Sequence, residues 1–426
     1  MRSKLLILII AAALGFPMHG FTGCFAQDKR PDTPMTGVFD LQTVFGEEGL
    51  EQEYLLVSPR SFWVDYNNIV YILDENRIKV FTPDGREKAI IGGPGQGPGE
   101  FMPIGSGSVS VGPTGYIAAK TLRWYNIYRP DYTYLTTFGE KELNQIPTGG
   151  MGKGPGDRII LLNEEELIEY ESNSERKNDK VEQTTRLVYH KNGGKRTVTE
   201  MKESLVPFTG GSISPALNYL YWEVTPDNKV VYTRAGFDEE SAGGEKRYIV
   251  HIHDLTNGET ASIGNRFEPV KRPDQKTMEE MALNASEGMS GQRGSGRGAI
   301  SRAGSERLEQ LLKERDKRQE QMRKETEAFY NELSEKDFEG VYNLLIDGAT
   351  VFVYTHKKLR EDKMPNDSNE FLVDIFDIDS GRYLHSAYLP RFGMIRNGYA
   401  YRIKRGGRDG FPSAEIYTLD PKIYGR

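Results

Sequence analysis

The chain has 426 residues, of which 37% are hydrophobic and 11% aromatic, with 46 glycines and 21 prolines. That balance suits many short strands and turns better than a helical core, and the formal net charge of −7 excludes a global basic bias toward nucleic acid. The single cysteine, Cys24, excludes an intrachain disulfide framework.

The N-terminus opens with the short positive stretch Met1-Arg2-Ser3-Lys4, followed by an unbroken apolar run from Leu5 to Leu14. Together they predict a secretory signal peptide over residues 1–26, too short to span a bilayer. Two processing readings stand side by side. Cys24-Phe25-Ala26 before Gln27 fits a signal-peptidase cut, which removes the cysteine. Phe21-Thr22-Gly23-Cys24 is an imperfect lipobox, in which Cys24 carries lipid and anchors the protein to a membrane. Either way the expected location is outside the cytoplasm: periplasmic, cell-envelope or extracellular. No later segment is long and apolar enough to cross a bilayer.

Gly37 to Phe45 alternates well enough to be a strand, and it is expected to pair with the C-terminal strand Ala414 to Leu419. Phe62 to Asp84 then sets the plan for the rest of the chain. A strand ends in the turn Val64-Asp65-Tyr66-Asn67-Asn68, where Asp and Asn close their own backbones. Ile69 to Leu73 is a β-branched and aromatic strand, and Asp74-Glu75-Asn76 reverses the chain. Arg77 to Phe81 alternates polar and apolar residues, and Pro83-Asp84-Gly85 closes the unit. Asp74 and Arg77 are placed to pair across their turn.

The same layout recurs about 47 residues later, a period found in propellers and arrays. Pro130 then falls on Pro83, Asp131 on Asp84, and Trp124 to Tyr128 on the third strand. Fainter copies come after it. Asp157 to Leu162 with Arg186 to His190 makes a third unit, and Lys229 to Thr233 with Tyr248 to His253 a fourth. Thr350 to Thr355 with Phe371 to Phe376 makes a fifth, and Tyr399 to Ile403 with Ala414 to Leu419 a sixth. Six units of three to four strands predict an all-β, six-bladed β-propeller over 37–426.

In a propeller the loop from second to third strand and the linker to the next blade open on one face. Asn163 to Thr185, Arg234 to Arg247, His356 to Glu370 and Lys404 to Ser413 are expected to be long second-to-third-strand loops on that face. A larger insertion, 265–340, lies between blades 4 and 5. It is expected to hold a short helix at Gln275 to Ala285, a Gly/Ser/Arg-rich stretch from Glu287 to Gly304, and a helix from Ser305 to about Leu333.

Val70-Tyr71-Ile72-Leu73-Asp74, Asn76 to Phe81 and the Gly/Pro linker Gly92 to Phe101, ending in Gly-Glu-Phe, resemble the NHL repeat family. This match covers the first quarter of the chain. The whole chain is similar to the exported six-bladed, NHL/TolB-like propellers common in Bacteroidetes, many of unknown function. The resemblance implies fold and compartment more than activity.

Few residues nominate themselves for chemistry. The linker Gly92 to Gly99 lacks the Lys-Ser/Thr of a phosphate loop. No Gly-x-Ser-x-Gly elbow with a triad is visible. His251 and His253 share a strand face, but a surface or packed pair explains them better than a metal site. Arg60, Trp63, Tyr221, Trp222 and Glu223 lie near innermost strands, where aromatic and charged groups bind a sugar or a peptide. Packing of blade against blade accounts for the same residues. The leading expectation is a non-catalytic, exported binding or scaffold protein with a protein or glycan partner, no cofactor and no metal. The alternative is a propeller hydrolase or lyase of the gluconolactonase or amidating-lyase type. It would use calcium or another divalent ion in the central channel, and Glu223 is its one visible ligand.

Overall fold

The computed structural model describes residues 25–27, 33–47, 49–101, 107–120, 124–139, 158–177, 180–205, 220–235, 239–240, 246–266, 270, 317, 340–359, 370–404, 406 and 410–425. They form six sheets arranged as the blades of a β-propeller, each built on four antiparallel strands, with sequence neighbours adjacent except at the outer strand of blade 6. Blade 1 runs outward from Pro59–Val64 through Val70–Asp74 and Arg77–Phe81 to Glu87–Ile91. Blade 2 comprises Ser108–Val111, Ile117–Lys120, Trp124–Tyr128 and Tyr134–Gly139. Blade 3 comprises Ile159–Leu161, Glu166–Lys177, Lys180–Lys191 and Gly194–Leu205.

Blade 4 comprises Leu220–Val224, Lys229–Arg234, Lys246–Asp254 and Thr260–Arg266. Two short strands extend it: Glu239–Glu240 pairs with Lys246–Asp254, and Phe25–Gln27 pairs in parallel with Thr260–Arg266. Blade 5 comprises Val341–Asp347, Thr350–Lys358, Glu370–Asp377 and Tyr383–Pro390.

Blade 6 takes its three inner strands, Met394–Arg396, Tyr399–Lys404 and Ser413–Leu419, from the C-terminus. Its outermost strand is Phe39–Phe45, antiparallel to Ser413–Leu419 from Phe39 opposite Leu419 to Phe45 opposite Ala414. This is the closure expected from the alternation of 37–45. It buries an edge that would otherwise be an open template for pairing. The latch continues past blade 6, because the Met35 N–H donates to the Ser386 carbonyl and the Tyr388 N–H to that of Met35, at 2.9 and 2.8 Å.

The turns have the chemistry their residues demand. Asn68 and Asn228 hold positive φ, 62° in each, in the first turns of blades 1 and 4, and Gly115 does so at 89° in blade 2. The Asp65 carboxylate accepts from the N–H groups of Asn67 and Ile69 at 2.8 and 2.9 Å, and Thr225 plays a similar part for Lys229 at 3.0 Å. Gly112 is required for another reason. A Cβ there would lie 1.7 Å from the Leu161 carbonyl oxygen of blade 3. In the linker, Gly92 turns at φ +71° against the Phe101 ring, and Phe101 N–H returns to the Gly93 carbonyl at 2.7 Å. The run Gly92 to Phe101 thus connects blades.

The core lies between blades. Both faces of most sheets are buried, as in Val70–Asp74, where all five residues are buried. Burial of apolar area at about 25 cal/mol per Å² drives this packing. One ion pair is built into it: Lys79 Nζ sits 2.6 Å from Asp74 Oδ2, and the two side chains are 2% and 0% exposed. Asp74 also accepts from the N–H groups of Val57 and Ser58 at 3.0 and 2.6 Å. The expected Asp74–Arg77 pair is therefore corrected. Arg77 stands directly opposite Asp74 on the same face, but that carboxylate is already held by Lys79 and the Val57 and Ser58 N–H groups, and Arg77 lies against Glu53 at 3.7 Å instead.

The loop expected from Asn163 to Thr185 is also corrected. Most of it is strand: Glu166–Lys177 pairs with Lys180–Lys191 along its full length, from Glu166 opposite Lys191 to Lys177 opposite Lys180. Beyond Tyr170 the strand carries no apolar residue, so hydrophobic period cannot reveal it; ladder pairing holds it, with contacts such as Gln183 Nε2 to Ser172 Oγ at 3.0 Å. The second-to-third-strand insertions of blades 4 and 6 begin after Arg234 and Lys404 as expected, whereas in blade 5 the second strand runs to Lys358, past the expected start at His356. The helical insertion expected at 265–340 lies almost wholly outside the described residues, and no α-helical element occurs among those described, so it gains no support. The signal peptide and Cys24 lie outside them too, apart from the strand Phe25–Gln27. No helix among the described residues is long and apolar enough to cross a membrane.

Candidate functional site

Two places bring charged and aromatic groups together, one at each end of the inner strands. The first lies where the first turns of the blades converge. Arg158, just before the inner strand of blade 3, stands 4.9 Å from the Trp63 ring centre of blade 1 and 4.7 Å from that of Trp222 in blade 4. It donates to the Trp222 carbonyl and lies 3.6 Å from the Glu223 carboxylate. Arg396 of blade 6 approaches the other Glu223 oxygen at 3.4 Å and covers the Tyr66 ring at 4.7 Å. Tyr66 Oη donates to the Val224 carbonyl at 2.5 Å, joining blade 1 to blade 4. Asn397 Nδ2 donates to the Tyr66 carbonyl at 2.9 Å.

Electrostatics follow from burial. Burial lowers the Arg158 pKa from its ordinary value, with Glu223 opposing it. Burial also pulls on Arg396, but Tyr66, Glu223 and Asp347 outweigh it and hold its guanidinium more basic than usual. Burial pushes the Tyr66 phenol up. This centre is a cross-brace of two guanidiniums, one carboxylate and three aromatic rings. It does not fit a divalent cation at Glu223, because both carboxylate oxygens already face guanidinium cations and a metal would sit beside two positive charges.

The second place is a cavity of about 440 Å³ between blades 1 and 6. Pro59, Arg60, Ser61 and Phe62 line it from the start of the first inner strand. Arg391, Phe392 and Gly393 line it from the linker into blade 6, and Arg402 and Ile403 from that blade's second strand. All belong to the end where second-to-third-strand loops and blade linkers open. Arg402 is set by Glu415, with Nε to Oε2 at 2.8 Å, and donates to Tyr417 Oη at 2.7 Å. Arg391 lies over the Tyr342 ring at 5.7 Å. Arg60 Nε is shielded from solvent and has no hydrogen-bond partner among the described residues. Among the described residues, three guanidiniums and one carboxylate, that of Glu415, stand at the cavity, which leaves it positive.

The five residues singled out in the sequence therefore divide. Trp63, Trp222 and Glu223 meet in the cross-brace, and Arg60 lines the cavity. Tyr221 packs against the cluster that holds Val231, Tyr248 and Val341. Sequence reading missed Arg158, Arg396, Tyr66, Arg391 and Arg402. Arg158 and Arg396 lie beside or on inner strands, Tyr66 in a turn, Arg391 in a linker and Arg402 on a second strand, so no shared local pattern marks them. His251 and His253 share a face as expected. Their Nδ1 atoms meet Ser262 Oγ at 3.1 Å and Thr260 Oγ1 at 2.8 Å, and His251 stacks on Tyr232 at 4.9 Å. These are packing and cross-strand roles.

No family model matches the chain, and no curated protein matches it. Among solved structures it is similar to a protein of Bacteroides fragilis described as exported, with 13% identity and a TM-score of 0.43 over 93% of this chain and 99% of that one. It is also similar to the Pan2 WD40 domain of Neurospora crassa, with 6% identity and a TM-score of 0.34 over 91% and 98%. A third is the extracellular domain of a hybrid two-component system of B. thetaiotaomicron, with 8% identity and a TM-score of 0.29. That match covers 84% of this chain but 40% of the other.

Proposed function

We propose that this chain is an exported, non-catalytic binding propeller that receives an anionic, carboxylate- or sulfate-bearing ligand in the Arg60–Arg391–Arg402 cavity. The observation that carries this reading is the Arg60 guanidinium, whose buried Nε lacks a partner at the wall of a cavity lined by two further arginines. A guanidinium fork matches a carboxylate or sulfate through paired, charge-assisted hydrogen bonds. Arg402, already aligned by Glu415 and Tyr417, is fixed before a ligand arrives, which reduces the ordering cost of binding. Phe62 adds apolar surface beside these charges. The cavity opens on the side where the insertions of blades 4, 5 and 6 emerge, so an extended glycan or peptide has further surface to touch. Export rests on the N-terminal sequence.

The test is a thermal-shift panel of uronate and sulfated oligosaccharides, with neutral sugars of matched length. At least one anionic member should raise the melting temperature saturably, and raised salt should weaken the effect. Shifts from neutral sugars alone, or from none of the panel, would count against the reading.

A further inference from the structure

Blade 3 carries a second chemical grouping, far out along its second and third strands. The ladder sets Leu167 opposite His190, Glu169 opposite Val188 and Glu171 opposite Arg186. Side chains two apart share a face, so Leu167, Glu169, Glu171 and His190 all project to one side of the sheet. That side faces blade 2, since Leu167 packs with Ala118, Tyr125 and Ile127. Glu169 is fully buried and Glu171 nearly so, while one edge of His190 reaches solvent.

One ligand atom from each of Glu169, Glu171 and His190 lies within 4.8 Å of the others. His190 Nε2 comes to 2.8 Å from Glu169 Oε2, yet the pair lacks the alignment of a hydrogen bond. We propose that Glu169, Glu171 and His190 bind one first-row divalent transition-metal ion of the zinc class. Nitrogen and oxygen ligands stand about 2.0–2.2 Å from zinc, which puts tetrahedral neighbours about 3.4 Å apart. His190 and Glu169 are already at that scale, and a side-chain rotation of Glu171 completes the set. An imidazole with two carboxylates suits zinc or manganese, whereas calcium takes oxygen ligands alone.

Charge supports the assignment. Two buried carboxylates on one face repel, and a divalent ion held between them relieves that repulsion. Lys195 Nζ lies 3.8 Å from Glu171 Oε1 from a half-exposed position, and Arg186 stands opposite Glu171 in the ladder. A water would complete four-coordination, as at zinc sites with three protein ligands. Held there, the metal ties the second strand to the third where the long hairpin leaves the apolar body of the blade.

The experiment uses the untagged protein, stripped with EDTA and titrated calorimetrically with Zn²⁺, Mn²⁺ and Ca²⁺. The expected result is one equivalent of Zn²⁺ per chain, with Ca²⁺ much weaker. Glu169→Gln and His190→Gln should each weaken Zn²⁺ binding at least tenfold. Co²⁺ loaded in place of Zn²⁺ should show the intense visible bands of a four-coordinate site, lost in His190→Gln. Should one variant fold poorly, Glu171→Gln provides the same comparison. No saturable Zn²⁺ binding by the wild-type protein, or unchanged binding in the variants, would overturn the assignment.

Discussion

Glu223 faces Arg158 at 3.6 Å and Arg396 at 3.4 Å from opposite sides. Neither guanidinium can move to water without opening the cross-brace. Removing one partner of a buried ion group costs about 3–5 kcal/mol, because the charges left behind stay desolvated. Glu223→Gln should therefore lower the unfolding free energy by roughly 3 kcal/mol in urea titrations. A change within about 0.5 kcal/mol, the range of an ordinary surface substitution, would show that the cross-brace contributes little. His251 makes a second prediction at this scale. Burial, helped by Arg234, lowers its pKa to about 4. Between about 4 and 6.5 the unfolded ring therefore binds a proton that the folded ring refuses. The stabilisation from the neutral ring is complete above pH 6.5 and is lost as pH falls toward 4. The stability difference between wild type and His251→Gln should narrow over that window, by up to about 3 kcal/mol. A difference that stays constant with pH would refute the assignment.

At the scale of elements, the ring depends on Phe39–Phe45 closing blade 6 against Ser413–Leu419. The Phe45 ring also packs on Phe81 of blade 1 at 4.8 Å, so this strand holds two blades together. Deleting residues 37–45 should lower the melting temperature of the whole protein in a single transition. A truncated form that melts at the full-length temperature would contradict the closure. This strand was legible because it alternates, and the strands of blades 1 and 2 because Asp, Asn, Gly and Pro mark their turns. Pro83 and Pro130 fixed the repeat. The outer half of Glu166–Lys177 was not legible, since Glu-Ser-Asn-Ser-Glu-Arg-Lys buries no apolar side chain. The third strand of blade 3 hid in the same way, through Glu182, Gln183 and Thr184.

For the whole molecule, fold and site were unequally visible. Repetition makes a propeller readable, because each blade restates the same turns. A site between blades has no such period. Arg158 and Trp63 are far apart in sequence yet meet across the ring. Arg60, Arg391 and Arg402 line one cavity only because the chain returns to its start to close blade 6. Arg60, Trp63, Trp222 and Glu223 could be picked as polar or aromatic residues near inner strands. Their arginine partners carried no local mark, and Glu169, Glu171 and His190 come together only through the register of a hairpin that reads as loop. The positive cavity also lies in a chain whose net charge is −7, so overall charge conceals it.

The most direct test of the binding reading is calorimetric titration of the best anionic oligosaccharide into wild type, Arg60→Ala and Arg86→Ala. Arg86 is an exposed arginine on the far side of blade 1, paired with Asp84, and it serves as the charge control. The account predicts at least tenfold weaker binding for Arg60→Ala, about 1.4 kcal/mol, and unchanged binding for Arg86→Ala. Equal loss in both variants, or none in either, would contradict a ligand held in the Arg60 cavity.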